Sequence, residues 1–229
     1  MNETSKTKLL WDSRTLTLFE GHGIDIGCGT DPVSTTARPF DIQHGDANEI
    51  LRYVDDEFDY VFSSHCLEHM HKPPQAVRDW WELVRPGGVM ILIVPDEDLY
   101  EQGLFPSRFN PDHKATFTIS KHSSWSSHSI NLLGLLEALP NAVVESIQLQ
   151  DVGYDRSLQT HGPLPFRSLQ RFLSRLSWFI QRHAGRKLPF VPWMLQRLGP
   201  VDQTLGKATA QIQAIVRKTL SSPPATGNH

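Results

Sequence analysis

Cysteine is scarce in this chain: Cys28 and Cys66 are the only two among 229 residues. Two thiols make no disulfide framework, which excludes the small secreted scaffolds held by bridges and points to a reducing compartment. Long apolar runs are lacking too. The longest, residues 89–94 (VMILIV), is far short of the ~20 residues that a membrane-spanning helix requires. Residues 1–8 are polar and contain no stretch of the kind a secretory signal uses, so a cytoplasmic location is expected. No sign of charge dominates either. The 22 Lys and Arg against 25 Asp and Glu leave a formal charge of −3, which names no partner. With no RNA-binding motif and only one short basic stretch, nucleic acid is not an expected partner.

What is present reads as an α/β protein. The length suits one domain, residues 1–220, with one insertion. Residues 23–26 form a short buried strand that runs into the glycine loop Gly27-Cys28-Gly29-Thr30, and a second strand ends at Phe40-Asp41. A third is expected to close at Asp46-Ala47. Residues 58–64 (FDYVFSS) are aromatic and β-branched, as in a buried strand. Pro73 and Pro74 open a helix whose apolar positions Val77, Trp80, Trp81 and Val84 keep helical spacing. Arg85 is expected in its last turn and Pro86-Gly87-Gly88 as its stop. The run 89–94 suits a central parallel strand covered on both faces. Residues 143–152 and 210–216 read as edge strands, the latter because Ile212, Ala214 and Val216 alternate with Gln211 and Gln213. Strands alternating with helices predict a Rossmann-like, doubly wound and mostly parallel seven-stranded sheet, with a shortened first half. A helical insertion over about 156–206 is expected between the last two strands, and a disordered tail over 221–229.

The loop Asp25-Ile26-Gly27-Cys28-Gly29 sits where a strand ends, the position at which open sheets bind ligands. The dinucleotide fingerprint requires a third glycine at position 32, and Pro32 stands there, which argues against a nicotinamide or flavin dinucleotide. Asp41, followed by Ile42, ends the next strand, where a carboxylate can accept from both hydroxyls of a ribose. Asp46-Ala47 then offers an acid or a backbone amide to an adenine edge.

The series DIGCG, FD, GDA, FDYVFSSHCLEH and LVRPGGVMILIVP over residues 23–95 resembles the class I S-adenosylmethionine-dependent methyltransferases, in the compact type 11-like subgroup. The resemblance implies that Gly27 and Gly29 pack against the methionine part of the cofactor, with Asp25 and Cys28 in the same loop. It further implies that Asp41 and Ile42 hold the ribose, that Asp46 and Ala47 flank the adenine, and that Ser64 and His65 lie near the sulfonium and the acceptor. Only twelve positions separate Gly29 from Asp41 and five separate Asp41 from Asp46, so the helices usual there are reduced to turns. The function expected is methyl transfer to a small acceptor. A cofactor-binding domain of the same fold that does not turn over, acting as a sensor or partner subunit, stays open beside it.

His65-Cys66-Leu67-Glu68-His69 also fits the inverted zinc-protease pattern, with His65 and His69 as ligands and Glu68 as base. The strand ahead of it favours the plainer reading, that Leu-Glu-His opens the helix after that strand; no metal is expected.

Past the strand at 89–94, residues 96–130 gather carboxylates, Arg, Asn, His and Lys beside the carboxyl edge of a sheet, the make-up of an acceptor loop. Tyr100, Arg108, Asn110 and Lys114 are candidate acceptor contacts. A hydroxyl acceptor benefits from a base, and histidine is the natural one near neutral pH. His113 and His65 are the candidates, with Asp112 placed to orient or replace His113. The fragment PSRFNPDHKATF resembles bacterial methyltransferases of glycan and lipopolysaccharide biosynthesis, which implies an oxygen of a sugar, sugar phosphate or lipid-linked glycan. Residues 163–198 hold seven Arg or Lys and no acid. Their amphipathic spacing suits either a cap on the acceptor pocket or a peripheral contact with an anionic membrane.

Overall fold

The structure is a computed structural model and describes residues 3–160 and 200–220. In chain order the elements are α1 (Glu3–Lys8), α2 (Ser13–Thr17), β1 (Gly23–Ile26), β2 (Arg38–Phe40), β3 (Phe58–Ser64), α3 (Pro73–Glu82), β4 (Val84–Pro95), β5 (Thr116–Thr118), β6 (Ser129–Asn131), α4 (Leu132–Glu137), β7 (Ala142–Gln150) and β8 (Gln211–Lys218). One sheet runs in the order β2-β1-β3-β4-β8-β7, and β5 and β6 form a separate pair. Strands β1 to β4 pair in parallel. β8 lies antiparallel between β4 and β7.

β4 shows why the sheet is covered on both sides. Met90, Leu92 and Val94 enter one core, shared with Trp80 and Trp81 of α3 and Leu132 and Leu136 of α4. Val89, Ile91 and Ile93 enter the other, closed by Trp11 and Phe19 from the N-terminal segment. That alternation is the two-residue period of a strand, read on a run in which every position is apolar. On the second face Trp11 stacks on Phe19 with ring centroids 4.6 Å apart, and Phe19 meets Tyr60 edge-on at 5.4 Å. On the first face Trp80 and Trp81 are fully buried. Each such ring system removes about 150–250 Å² from water, worth roughly 4–6 kcal/mol as an upper figure. Trp80 Nε1 also donates to the Ala47 carbonyl at 2.9 Å, which fixes the loop after β2 against α3.

Four expectations change. Six strands, not seven, form the main sheet among the described residues. Asp46-Ala47 closes no strand: Asp46 caps a 3-10 turn over Ala47–Arg52, its carboxylate accepting from Asn48 N–H, and so turns the chain away from the sheet. The helix at Pro73 ends at Glu82 rather than at Pro86. The Leu83 carbonyl accepts from Phe58 N–H at 2.8 Å, and Val84 pairs with Phe58, so Val84 and Arg85 already belong to β4. Finally, β8 is an interior strand despite its glutamines. Gln211 Nε2 donates to Thr7 Oγ1 at 2.8 Å and to Gln150 Oε1 at 2.7 Å, and Gln213 Oε1 accepts from Trp11 Nε1 at 2.7 Å. Buried amides satisfied in this way give an alternating pattern that imitates a half-exposed strand. The insertion between β7 and β8 is described only at its ends, with 3-10 turns at Arg156–Leu158 and Gln203–Leu205. The basic stretch 163–198, with its cap or membrane role, and the tail 221–229 lie outside the described residues. No helix among the described residues is long and apolar enough to cross a membrane.

Candidate active site

The carboxyl ends of β1 and β2 open on a cleft of about 500 Å³ lined by Gly27, Asp41, Ile42, Asp46, Ala47 and His69, among others. Gly27 and Gly29 take φ values of +78° and +52°, which L side chains rarely adopt. At Gly27 a Cβ would stand 2.6 Å from Cys66 Cβ, so glycine is required there twice over. The amide of Gly29 donates to Asp41 Oδ2 at 2.5 Å and that of Ile42 to Oδ1 at 2.6 Å. Asp41 therefore ties the glycine loop to the end of β2, and each oxygen keeps a lone pair for a ligand hydroxyl. Ile42 is 88% exposed, an apolar lip on this cleft. Hydrogen bonds from Asn48 hold the Asp46 carboxyl below its usual range. A glycine-walled trough, a strand-end carboxylate, an exposed aliphatic lip and a capped turn suit a nucleoside cofactor such as S-adenosylmethionine.

Five expected cofactor contacts do not line that cleft: Asp25, Cys28, Gly29, Ser64 and His65. Asp25 is buried, and its Oδ2 accepts from Val33 N–H at 2.6 Å; burial pushes its carboxyl up to about 7. It braces the loop after Gly29 from below. Cys28 and Ser64 are buried. His65, at φ +51°, turns toward β8, where its Nε2 lies 2.9 Å from Gln211 Oε1. The position of His65 also dissolves the zinc-protease pattern. Leu67–His69 is a three-residue 3-10 turn, not an α-helix, so His65 and His69 share no helical face.

A second constellation adjoins the cleft, built from side chains. Glu68 is fully buried, and neither of its carboxylate oxygens has a hydrogen-bond partner. His65 Nδ1 lies 3.5 Å and His113 Nε2 3.9 Å from its Oε1. Burial opposes the charge on Glu68, but His65 beside it, with His113 and His69 behind, more than offsets this and holds the carboxyl below its usual range. His65 is correspondingly raised by Glu68 in spite of its own burial. His113 is buried, and its Nδ1 meets Glu101 Oε1 at 2.6 Å. The rings of His69 and His113 are 5.0 Å apart. The Glu68 carbonyl accepts from Lys114 N–H at 2.7 Å, which draws the acceptor loop onto the turn after β3.

Asp112 does not orient His113. Its Oδ2 sits 3.0 Å from His69 Nδ1, at the end of a turn closed by Asn110 Oδ1, which accepts from Asp112 N–H at 3.2 Å. Lys114 lines the cleft, with Nζ 3.3 Å from Asp112 Oδ1. Tyr100 packs on His113 and Phe109 at 5.2 and 5.8 Å. Arg108 is half-buried in the same loop. Sequence reasoning missed Glu101, whose twelve-residue distance from His113 follows no periodicity. It also missed that Cys66, His69, Met70 and His71 line the cleft, although the polar run directly behind β3 was a usable signal.

Residues 22–92 match a family described as "Methyltransferase domain". No curated protein matches the chain. Among solved structures, a candidate sarcosine dimethylglycine methyltransferase from Galdieria sulphuraria is 11% identical, covering 94% of this chain and 84% of that one, with a TM-score of 0.50. The similarity to it is one of fold. A SAM-dependent methyltransferase from Archaeoglobus fulgidus is 16% identical over 95% of this chain and 94% of that one, with a TM-score of 0.49. The plantazolicin methyltransferase, solved with SAH and a triazolic desmethyl analogue, is 16% identical over 96% and 92%, with a TM-score of 0.45. Together with the glycine trough and the parallel sheet, the family match shows residues 22–92 to be similar to a methyltransferase domain.

Proposed function

We propose that this methyltransferase acts on an oxygen of a small polar acceptor, a sugar, sugar phosphate or lipid-linked glycan. The observation that carries the reading is the join between the two constellations: His69 and Lys114 line the cofactor cleft and also belong to the histidine–carboxylate cluster. S-adenosylmethionine supplies a methyl group on a sulfonium, whose thioether leaves without needing an acid. The protein's part is to align the acceptor and manage its proton. Holding reactants in line is worth about 7–11 kcal/mol. A hydroxyl held over His69 meets a cluster in which both His69 and His113 have one ring nitrogen engaged by a carboxylate, an arrangement that fixes the tautomer and readies the other nitrogen for a proton. Lys114, on the cleft wall, suits a phosphate on the acceptor, and Tyr100, Arg108 and Asn110 would complete the acceptor loop. His65 and Asp112 act at one remove, through Glu68 and His69.

The test is methyl transfer from isotope-labelled S-adenosylmethionine to a panel of sugars, sugar phosphates, amines and thiols, with products identified by mass spectrometry. An O-methylated sugar product is expected, with turnover reduced at least about 100-fold in His113→Ala, the scale of general acid–base effects. Methylation confined to amines or thiols would overturn the reading.

A further inference from the structure

We propose that Glu68, His69 and His113 form a binding site for a divalent first-row transition-metal ion at the inner end of the cofactor cleft. One ligand-competent atom from each residue lies within 4.8 Å of the others. Bonds of about 2.0–2.2 Å to one ion place ligand atoms up to roughly 4.4 Å apart, so small side-chain rotations close the set.

Three further features point to a cation. The Glu68 carboxylate is fully buried and neither oxygen accepts a hydrogen bond, its charge being met only by imidazoles at 3.5 Å (His65) and 3.9 Å (His113), so its lone pairs are open to a cation. Each imidazole is held at Nδ1 by a carboxylate, His113 by Glu101 at 2.6 Å and His69 by Asp112 at 3.0 Å. Such outer carboxylates fix ring orientation and raise ligand basicity at metal centres, leaving Nε2 for the ion. For His113, Nε2 is also the nitrogen that faces Glu68, at 3.9 Å. Finally, the access is one-sided. Glu68 and His113 are buried, whereas the His69 side chain is 25% exposed and lines the cleft.

Two imidazoles and one carboxylate with open positions are the ligand set of divalent iron, manganese, cobalt or zinc rather than of magnesium or calcium. His65 is not a ligand: its Nε2 is engaged by Gln211, and its Nδ1 lies beside the Glu68 oxygen. With the ion bound, Nε2 of His69 and of His113 would be occupied, so the ion, as a Lewis acid toward an oxygen entering from the cleft, would ease loss of its proton in place of a free imidazole base. The site stands on protein ligands alone and does not depend on which acceptor is used.

The test is titration of the metal-stripped full-length protein with Co²⁺, followed by visible d–d absorption and by metal analysis after gel filtration. One Co²⁺ per chain is expected. Glu68→Gln and His69→Ala should each raise the Kd at least tenfold, and Asp112→Asn by about tenfold through His69 alone. An unchanged circular-dichroism spectrum and a cooperative melting transition show that each variant is folded. If replacement of buried Glu68 unfolds the chain, the partly exposed His69→Ala keeps the test decisive. Wild-type protein that binds S-adenosylhomocysteine but takes up no Co²⁺ overturns the proposal. So does equal Co²⁺ affinity in wild type and His69→Ala, which would leave the cluster as an ion-pair network. Neither result bears on the oxygen acceptor, which the methylation assay judges separately.

Discussion

On the cofactor side of the cleft the main chain holds the site: Gly29 and Ile42 donate their amides to Asp41, and Gly27 N–H donates to the Phe40 carbonyl at 2.7 Å. On the acceptor side buried side chains hold one another, with Glu68, Glu101, His69 and His113 drawn from two segments some forty residues apart. The first half tolerates exposure, since its groups are satisfied locally and its carboxylate faces water. The second half is a charged cluster inside the protein, where each member depends on the others for compensation. Loss of one group should thus be felt as ligand affinity in the first half and as chemistry or metal uptake in the second.

The comparison is broken most directly at Asp41. Asp41→Ala removes charge-assisted hydrogen bonds worth about 1.5–3 kcal/mol, so affinity for S-adenosylhomocysteine should fall roughly 10- to 100-fold by calorimetry while Co²⁺ uptake is unchanged. A fall in both would mean that the halves are coupled. Gly27→Ala comes next. It forces an L residue to φ +78° and a methyl group to 2.6 Å from Cys66 Cβ, at a cost of about 1–3 kcal/mol. At roughly 2–4 °C per kcal/mol for a chain of this size, the melting temperature should drop by several degrees; no change would show that the trough yields easily.

The smallest effect is expected beneath the trough. Burial raises the Asp25 carboxyl from an ordinary 3.8 to about 7. The folded state then binds a proton that the unfolded state has already released, so this group's contribution to stability is full below about pH 4 and declines as the pH rises to about 7. Asp25→Asn keeps an acceptor for Val33 N–H and should flatten that part of the stability profile, measured as denaturation midpoints across the interval. An identical slope in both proteins would mean that Asp25 is ionised in the fold.

The same division explains what could be read from the sequence. Glycines with positive φ, an acid at a strand end and a six-residue apolar run obey local rules, and the glycine loop at Gly27 and Gly29, tied to Asp41, follows from them. Local rules failed where a partner comes from far along the chain. Gln211 and Gln213 looked solvent-facing because nothing nearby announces Thr7, Trp11 and Gln150 as their partners. Asp112 looked like the support of its neighbour His113 because the two are adjacent; Asn110-Pro111 announces a turn but not its direction, and that turn places Asp112 against His69 instead. His65 looked catalytic because the resemblance put it near the sulfonium and histidine is a natural base; its left-handed backbone accompanies a ring turned to Gln211 of β8.

The interior position of β8 has a consequence for how the chain is made. β4 and β7 share no hydrogen bonds; β8 joins them through seven register pairs on one side and eight on the other. During synthesis at about 5–20 residues per second, the segment between β4 and β8 takes roughly 6–23 s to emerge. For that time β4, whose run 89–94 is apolar at every position, has one edge unpaired. An open apolar strand edge is a template for joining other chains. A ribosome that stalls anywhere in this interval therefore displays an apolar strand edge that the finished sheet covers.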